Sequence, residues 1–448
     1  MKVLKFGGSS VKDSYWINRA LDITEQQLSS GLVVVSSAMA KTTNRLQETA
    51  LLAEQGDYTQ AAQMIEELMA FHRETAEALL KGENRSRCLK ELERLFNELG
   101  SVIKGLALLK ERTPRSNDLI LSFGERLATQ VVAWRARERG IKTELLDARD
   151  FMKTDDHFSQ ASLIEELTYS LIADKVKPSP GSIIVTQGFI ASTREGTTTT
   201  LGRNQSDFTA IVIGAALKAE EVQIWTDVDG IMTVDPHVVQ EASTVPIISY
   251  REAAELAHFG ARVIHPSAIQ PAVNHSIPVC VKNTGNPSGE GTIIVSSQPS
   301  EGPKAIAFKK AVRVINISSG RMLMAYGFLK AIFEIFEKYK TSVDLIATSE
   351  VSVSMTIDDT THLDHILNDL ASLGSVSTEG EQSIVCLVGQ DLWKSSRIIS
   401  RVFSTLEQVP IRMISLGSSD TNLSIVVPQN YTEDTVRSLQ REFFEKRA

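Results

Sequence analysis

The chain is short of several things that would have narrowed its role at once. It has three cysteines, Cys88, Cys280 and Cys386, spread widely through 448 residues. That spacing excludes a disulfide framework and a cysteine-based zinc site, and it suits a reducing cytosol. No apolar run approaches the roughly 18 residues that a membrane span needs. The amino terminus, MKVLKFGGSS, meets glycine before an apolar leader segment forms, so no secretory signal is expected. There is no excess of positive charge. The net charge of −8 argues against a surface that binds nucleic acid. No Gly-Lys dipeptide occurs anywhere, which excludes the standard P-loop.

What is present is an ordinary globular composition, 42% hydrophobic and 23% charged. The length exceeds what one core serves, so two or three domains are expected. VLKF (3–6) and LVVVSS (32–37) read as strands, the second a continuous apolar run typical of a sheet buried on both faces. Residues from about 44 to 112 repeat apolar side chains at three- and four-residue steps, as helices do. A further helical stretch over 118–140 ends at Gly140. KTELLDA, SIIVTQGFIAS and EVQIWTDV read as more strands, and DFTAIVIGAALKA as a helix. Strands alternating with helices predict an α/β domain with a mostly parallel sheet, whose ligands sit beyond the carboxyl ends of the strands.

Gly, Pro and Ser cluster over 284–303, which marks a boundary. Beyond it the order helix, strand, strand, helix occurs twice, with an apolar strand ahead of each copy (AVRVINIS and SIVCLVG). Two βαββαβ units in tandem are expected, as a regulatory pair. The predicted domains are 1–297, 298–380 and 381–448, with room for the last two to interleave.

The polar motifs all follow apparent strands. KFGGSS (5–10) joins a lysine to paired glycines, a turn where backbone N–H groups approach an anion closely. In SSAMAKTTNRL, Thr42 and Thr43 are placed to cap the next helix. Glu125 in SFGERL follows a glycine in a helical pattern. It is either a solvated glutamate or a partner for a substrate ammonium. TTTTLGRNQSDFTA (197–210) has the composition of a surface loop, yet a buried strand leads into it. Within it Ser206 is placed to cap the following helix, and Arg203 to fork onto a carboxylate or phosphate. Asp227 ends a strand, whereas Asp229 and Asp235 are explained by their turns. Arg262 follows a small-residue turn, within reach of a phosphate. His258 and His265 lack zinc-site spacing and read as structural, and His362 and His365 as a solvated helix face.

Taken in order, KFGGSS, VVVSSAM, SFGERL, VTQGFIAS, the 197–210 stretch, IWTDVDGI and FGARVIHP resemble the aspartate kinases of the amino-acid kinase superfamily. The C-terminal third, with YGFL and SVDLIATSEVSVS, resembles tandem ACT domains of the lysine-sensitive type. The likeness spans essentially the whole chain. It implies ATP- and Mg²⁺-dependent phosphorylation of the L-aspartate side-chain carboxylate, the opening step of lysine, methionine and threonine biosynthesis, in the cytoplasm. By motif match, Lys5 and Asp207 are the phosphoryl-transfer pair. Ser9, Thr43, Glu125, Arg203 and Ser206 form the aspartate site. Lys5, Gly7, Gly8, Thr226, Asp227, Met232 and Arg262 form the nucleotide site. Met322, Phe328, Leu329, Ser342, Val343, Asp344, Ser349 and Glu350 form a lysine effector site, with Asp344 and Glu350 as partners for its ε-ammonium. No resident metal site is implied. A homodimer through the ACT units is expected, with a tetramer open.

The chain departs from the resembled pattern near the nucleotide. Asn204 and Gln205 stand where two glycines are usual, Met232 where tyrosine is common, and His237 and Arg262 where arginine and lysine are frequent. Two alternatives therefore remain beside the aspartate kinase reading. One is a related kinase for another acidic amino acid, such as glutamate. The other is an amino-acid sensor that kept the fold and lost turnover.

Overall fold

The computed structural model describes residues 1–202, 205–260, 266–296, 301–322 and 326–445. The chain divides into two compact units. One takes Met1–Ile231, Pro246–Tyr250 and Ile264–Ser297; the other takes Met232–Val245, Arg251–Val263 and Gln298–Ala448. No shift in composition signals that 232–245 and 251–263 belong with the C-terminal unit.

The first unit is built on an eight-stranded sheet. Its strands are β1 (Lys2–Phe6), β2 (Leu32–Ser36), β3 (Lys142–Leu145), β4 (Ser182–Gln187), β7 (Glu221–Thr226), β8 (Ile247–Ser249), β9 (Val279–Asn283) and β10 (Thr292–Val295). A separate hairpin pairs β5 (Ile190–Ser192) with β6 (Thr198–Thr200). The sheet order is β3-β4-β2-β1-β7-β9-β10-β8, and every pair is parallel except β9–β10. All five residues of β2 and all six of β4 are buried. Because successive side chains point to opposite faces, both faces of the sheet centre are covered. Phe6 lies level with Ser36 and Trp225, and Ser36 with Gln187. The carboxyl ends of the four central strands therefore form one rim.

The helices of this unit are α1 (Ser14–Glu25), α2 (Thr42–Glu54), α3 (Tyr58–Leu79), α4 (Gly82–Leu109), α5 (Pro114–Glu138), α6 (Glu165–Lys175) and α7 (Ser206–Leu217). Asp57 caps α3 by accepting from the Gln60 N–H. Thr113 caps α5, with Pro114 at the first helical position, where its missing N–H costs nothing. The middle of α5 is buried almost all round, from Ile120 to Thr129. It packs against β2, β3 and β4, while α7 packs against β1, β2 and β7. Of the two helices that follow in the chain, α9 (Pro266–His275) belongs to this unit and lies along α7, whereas α8 (Tyr250–His258) belongs from Arg251 onward to the second. Among the described residues, no helix is long and apolar enough to cross a membrane.

The second unit holds a six-stranded antiparallel sheet. Its strands are β11 (Gly302–Ser318), β12 (Ile346–Thr348), β13 (Ser352–Ile357), β14 (Ser375–Gln390), β15 (Met413–Leu416) and β16 (Asn422–Pro428), in the order β12-β13-β11-β14-β16-β15. Its helices are α10 (Phe328–Lys338), α11 (Leu363–Leu370), α12 (Ser396–Thr405) and α13 (Thr432–Phe443). The two expected βαββαβ units are present, and they share strands. The sequence reading put one strand ahead of each copy. Instead β11 and β14 each run through both copies, bending at Ala311 (φ +61°) and Glu381 (φ +52°), where the register shifts. Ile315 and Ile317 join the core of Ile332, Phe336, Val353 and Met355. Ile306, on the other half of β11, joins the core of Val385, Leu387, Val402 and Leu423. The GPKAIAFKK segment thus completes the later copy, a non-local pairing that local periodicity does not encode.

Candidate functional site

The site grows from the sheet rim. β1 delivers Lys5 and then turns at Gly7 and Gly8, where the Gly7 N–H donates to the Trp225 carbonyl (3.0 Å). A Cβ on Gly8 would sit 2.9 Å from the Ala38 carbonyl oxygen, so only glycine permits this approach. Ser9 lies in the same turn, its Oγ 4.0 Å from where a Cβ on Gly7 would stand. The Lys5 ammonium reaches across to Asp207 in the first turn of α7, with Nζ 2.6 Å from Oδ1. Both residues are buried. The two form a close, buried ion pair.

Glu125 is 3% exposed, which overturns the solvated reading. Its Oε1 accepts from the Ala38 N–H (3.2 Å). Its Oε2 is buried and has no partner among the described residues. Burial pushes its carboxyl up to about 8, against the opposing pull of the Ala38 N–H, its own backbone N–H and the Lys5 charge. Thr43 lies against this helix, its Oγ1 3.4 Å from where a Cβ on Gly124 would stand. The structure therefore gathers Lys5, Gly7, Gly8, Ser9, Thr43, Glu125 and Asp207 around one rim.

Two capping expectations need correction here, and the loop-like composition of the threonine run is misleading. The threonine run is no surface loop: Thr198, Thr199 and Thr200 form β6 and are buried, with Ile190 facing Thr200 across the hairpin. Ser206 does not cap α7. Gln205 takes the cap position, no side chain closes the cap, and Ser206 is the first helical residue. Ser206 instead packs on Gly188, where a Cβ would lie 2.5 Å from its own. Thr42 and Thr43 do not cap α2 either. Lys41 holds that position, and the Thr42 hydroxyl donates back to the Met39 carbonyl. Arg203 and Arg262 lie outside the described residues.

On the expected nucleotide side, Thr226 ends β7 with its hydroxyl donating to Asp227 Oδ1 (3.2 Å), and Asp227 is exposed. Met232 lies in the second unit, where it bridges Thr244.

In the second unit, Met322, Phe328 and Val343 pack on the core built from Ile332 and Phe336. Leu329, Ser342, Ser349 and Glu350 are exposed, and Ser349 Oγ lies 2.7 Å from Ser352 Oγ. The Asp344 side chain is almost fully buried and already paired: Oδ1 lies 2.9 Å from Lys309 Nζ and 3.5 Å from His258 Nε2. Its Oδ2 has no hydrogen-bond partner among the described residues. Sequence reasoning missed Lys309, and it quoted Gly188 without giving it a role. Neither carries a local signal, because each acts on a residue distant in sequence.

Residues 1–283 match the amino acid kinase family and residues 385–443 an ACT domain. The chain is 37% identical to "Aspartokinase 1, chloroplastic" of Arabidopsis thaliana, over 99% of this chain and 80% of that protein. It is also 37% identical to the lysine-sensitive aspartokinase 3 of Escherichia coli K12, covering 99% of both. Among solved structures it resembles E. coli aspartokinase III in complex with aspartate and ADP (R-state), with a TM-score of 0.84 and 36% identity. That match covers 99% of this chain and 100% of the other. The same enzyme with lysine and aspartate (T-state) matches with a TM-score of 0.82 at 36% identity, again over 99% and 100%. The chain therefore belongs to the aspartokinases, within the amino acid kinase family.

Proposed function

We propose that this aspartokinase transfers the γ-phosphoryl group of ATP to the side-chain carboxylate of L-aspartate, giving 4-phospho-L-aspartate, and that the rim residues divide the work. The attacking carboxylate is ionised near neutral pH, so no general base is needed. The task is to bring two anions into line and hold them there. Lys5 meets the transferring phosphoryl oxygens, and Asp207 holds the Lys5 ammonium in place. Gly7 and Gly8 let the backbone approach the phosphates, with Thr226, Asp227, Met232 and Arg262 on the nucleotide side. Ser9, Thr43, Arg203 and Ser206 surround the amino acid, Arg203 gripping its α-carboxylate. Mg²⁺ bound through the nucleotide's phosphates would neutralise developing charge.

One observation carries the assignment of an amino-acid substrate: the buried, unpartnered Oε2 of Glu125. A carboxylate oxygen left so is costly unless a ligand completes it. An α-ammonium does so, and the E. coli relative that holds aspartate and ADP supports the same reading.

For regulation, we propose inhibition by lysine at Met322, Phe328, Leu329, Ser342, Val343, Asp344, Ser349 and Glu350, supported by the lysine complex of that relative. The domains we propose are a catalytic 1–297 and ACT regions over 298–380 and 381–448 that exchange strand 302–309. A homodimer through the ACT units fits the exposed apolar side chains of Leu329, Phe333, Ile346 and Ile414. Three unpaired cysteines suit a reducing cytosol.

The test is acyl phosphate formation, trapped as hydroxamate, with ATP, Mg²⁺ and either aspartate or glutamate. Product from aspartate alone supports the assignment, and product from glutamate alone, or none, overturns it.

A further inference from the structure

The loop that follows β2 touches both halves of the rim. The Ser37 N–H donates to the Phe6 carbonyl (3.1 Å) and the Ala40 N–H to the Gly8 carbonyl (3.2 Å), so residues 37–40 run beside the glycine turn. A Cβ on Gly8 would also stand 3.2 Å from the Ala40 carbonyl oxygen. The same loop gives the Ala38 N–H to Glu125 Oε1. Ala40 has φ +47°, a conformation unfavourable for a residue with a side chain. The next residue, Lys41, is the N-cap of α2.

For helix stability, lysine is a poor choice there. It offers no acceptor to the free N–H groups of the first turn, and its charge faces the positive end of the helix dipole. No side chain closes this cap, and the first turn carries no acidic residue. Lys41 is exposed and forms no hydrogen bond or ion pair among the described residues. A serine at 41 would start the helix better, so the lysine calls for a reason outside the fold.

Charge balance at the rim gives that reason. The Lys5 ammonium is matched by Asp207, 2.6 Å away, and Glu125 adds no positive charge. The described rim residues therefore bring no net positive charge to a reaction between two anions, and the triphosphate stays anionic even with Mg²⁺ on it. Lys41 stands one residue from the contact with Gly8, on a flexible stem, at the uncapped positive end of α2. We propose that Lys41 is a further catalytic residue: its ammonium meets the terminal phosphate of the nucleotide beside the Gly7–Gly8 turn and stabilises charge as the phosphoryl group moves. This rests on the reading of Gly7 and Gly8 as the turn that approaches the phosphates.

The experiment is steady-state kinetics on the full chain for wild type, Lys41→Ser, Lys41→Met and Lys41→Arg, with melting temperatures measured alongside. Lys104→Met, at an exposed lysine of α4, is the control. Wild type comes first: if it forms no phosphorylated aspartate, the site reading itself fails and this inference fails with it. With activity present, Lys41→Ser and Lys41→Met should lower kcat/KM for ATP about tenfold or more, the loss of one charge-assisted contact. The inhibition constant of ADP, which lacks the terminal phosphate, should stay within about twofold of wild type in both. Lys41→Arg keeps the charge and should lie within about fivefold of wild type. Lys41→Ser should also melt at or above the wild-type temperature, because serine caps α2. Lys104→Met should match wild type in every respect. A merely solvated lysine predicts an unchanged kcat/KM for ATP in all variants. A merely structural one predicts lower melting temperatures, with ATP and ADP affected alike. Either result overturns the proposal, as does a change confined to KM for aspartate.

Discussion

Lys309 Nζ stands 2.9 Å from Asp344 Oδ1 and 3.0 Å from Asp358 Oδ2, so the chain's own lysine occupies the carboxylate expected to receive an effector's ammonium. Burial works against the Lys309 charge, but Asp344 and Asp358 outweigh it and hold its pKa above the ordinary value. The second oxygen of Asp344 remains without a hydrogen-bond partner among the described residues. Removing the internal ammonium with Lys309→Met leaves a buried carboxylate uncompensated, at a cost of about 3 kcal/mol. Added lysine should then raise the melting temperature of this variant more than that of wild type. In Asp344→Asn, the lysine concentration giving half inhibition should rise by about tenfold or more, the loss of one charge-assisted bond. Unaltered inhibition there would remove Asp344 from the effector site.

The proposed role of Glu125 makes substrate capture depend on pH. Its folded pKa of about 8 exceeds the ordinary carboxylate value, so the folded chain holds a proton that the unfolded chain has released. Stability contributed by this group is full below about pH 4.5 and declines as pH rises towards 8. Glu125→Gln removes that decline. Its melting temperature should gain on wild type as pH is raised from 5 to about 8.5. Its KM for aspartate should rise about a hundredfold, the loss of a buried charge-assisted contact. In wild type, kcat/KM for aspartate should climb to a plateau above about pH 8, as Glu125 ionises in the free enzyme. A flat profile, or a variant with unchanged KM, contradicts the ammonium assignment.

Gly188 and Ser206 are in closer contact than any side chain at 188 would allow, with a Cβ at 188 falling 2.8 Å from Ser206 Cα. Gly188→Ala must push back the first turn of α7 and with it Asp207. Stability should fall by about 1–3 kcal/mol and kcat about tenfold. Gly100→Ala, in α4 with nothing within 4 Å, is the control and should gain about 0.5–1 kcal/mol. Melting temperatures and kcat of both variants check this.

Much of this was legible in the sequence because its signals are local. A strand ending in Lys5-Phe6-Gly7-Gly8, a buried run at 32–36 and a helical period through Glu125 each declare themselves within a dozen residues. The threonine hairpin did not, because hydroxyls read as surface unless their partners are known. Thr199 is buried with a hydroxyl 2.7 Å from that of Thr154, and Thr200 is gripped by Asp118, residues far away in sequence. Asp118 itself was hidden for a similar reason: an acidic residue near a helix start is explained by the macrodipole alone. The exchange of 302–309 into the later ACT unit depends on pairing with 384–390, which no window of sequence contains.

The central claim is that Lys5, fixed by Asp207, draws the transferring phosphoryl group to a carboxylate it would otherwise repel. The most direct measurement is the rate of hydroxamate formation from aspartate at saturating ATP and Mg²⁺, for wild type and Lys5→Met. The predicted result is robust turnover by wild type and a fall of about 10³-fold in kcat for the variant, with its melting temperature showing a folded chain. A folded Lys5→Met enzyme turning over near the wild-type rate would contradict it.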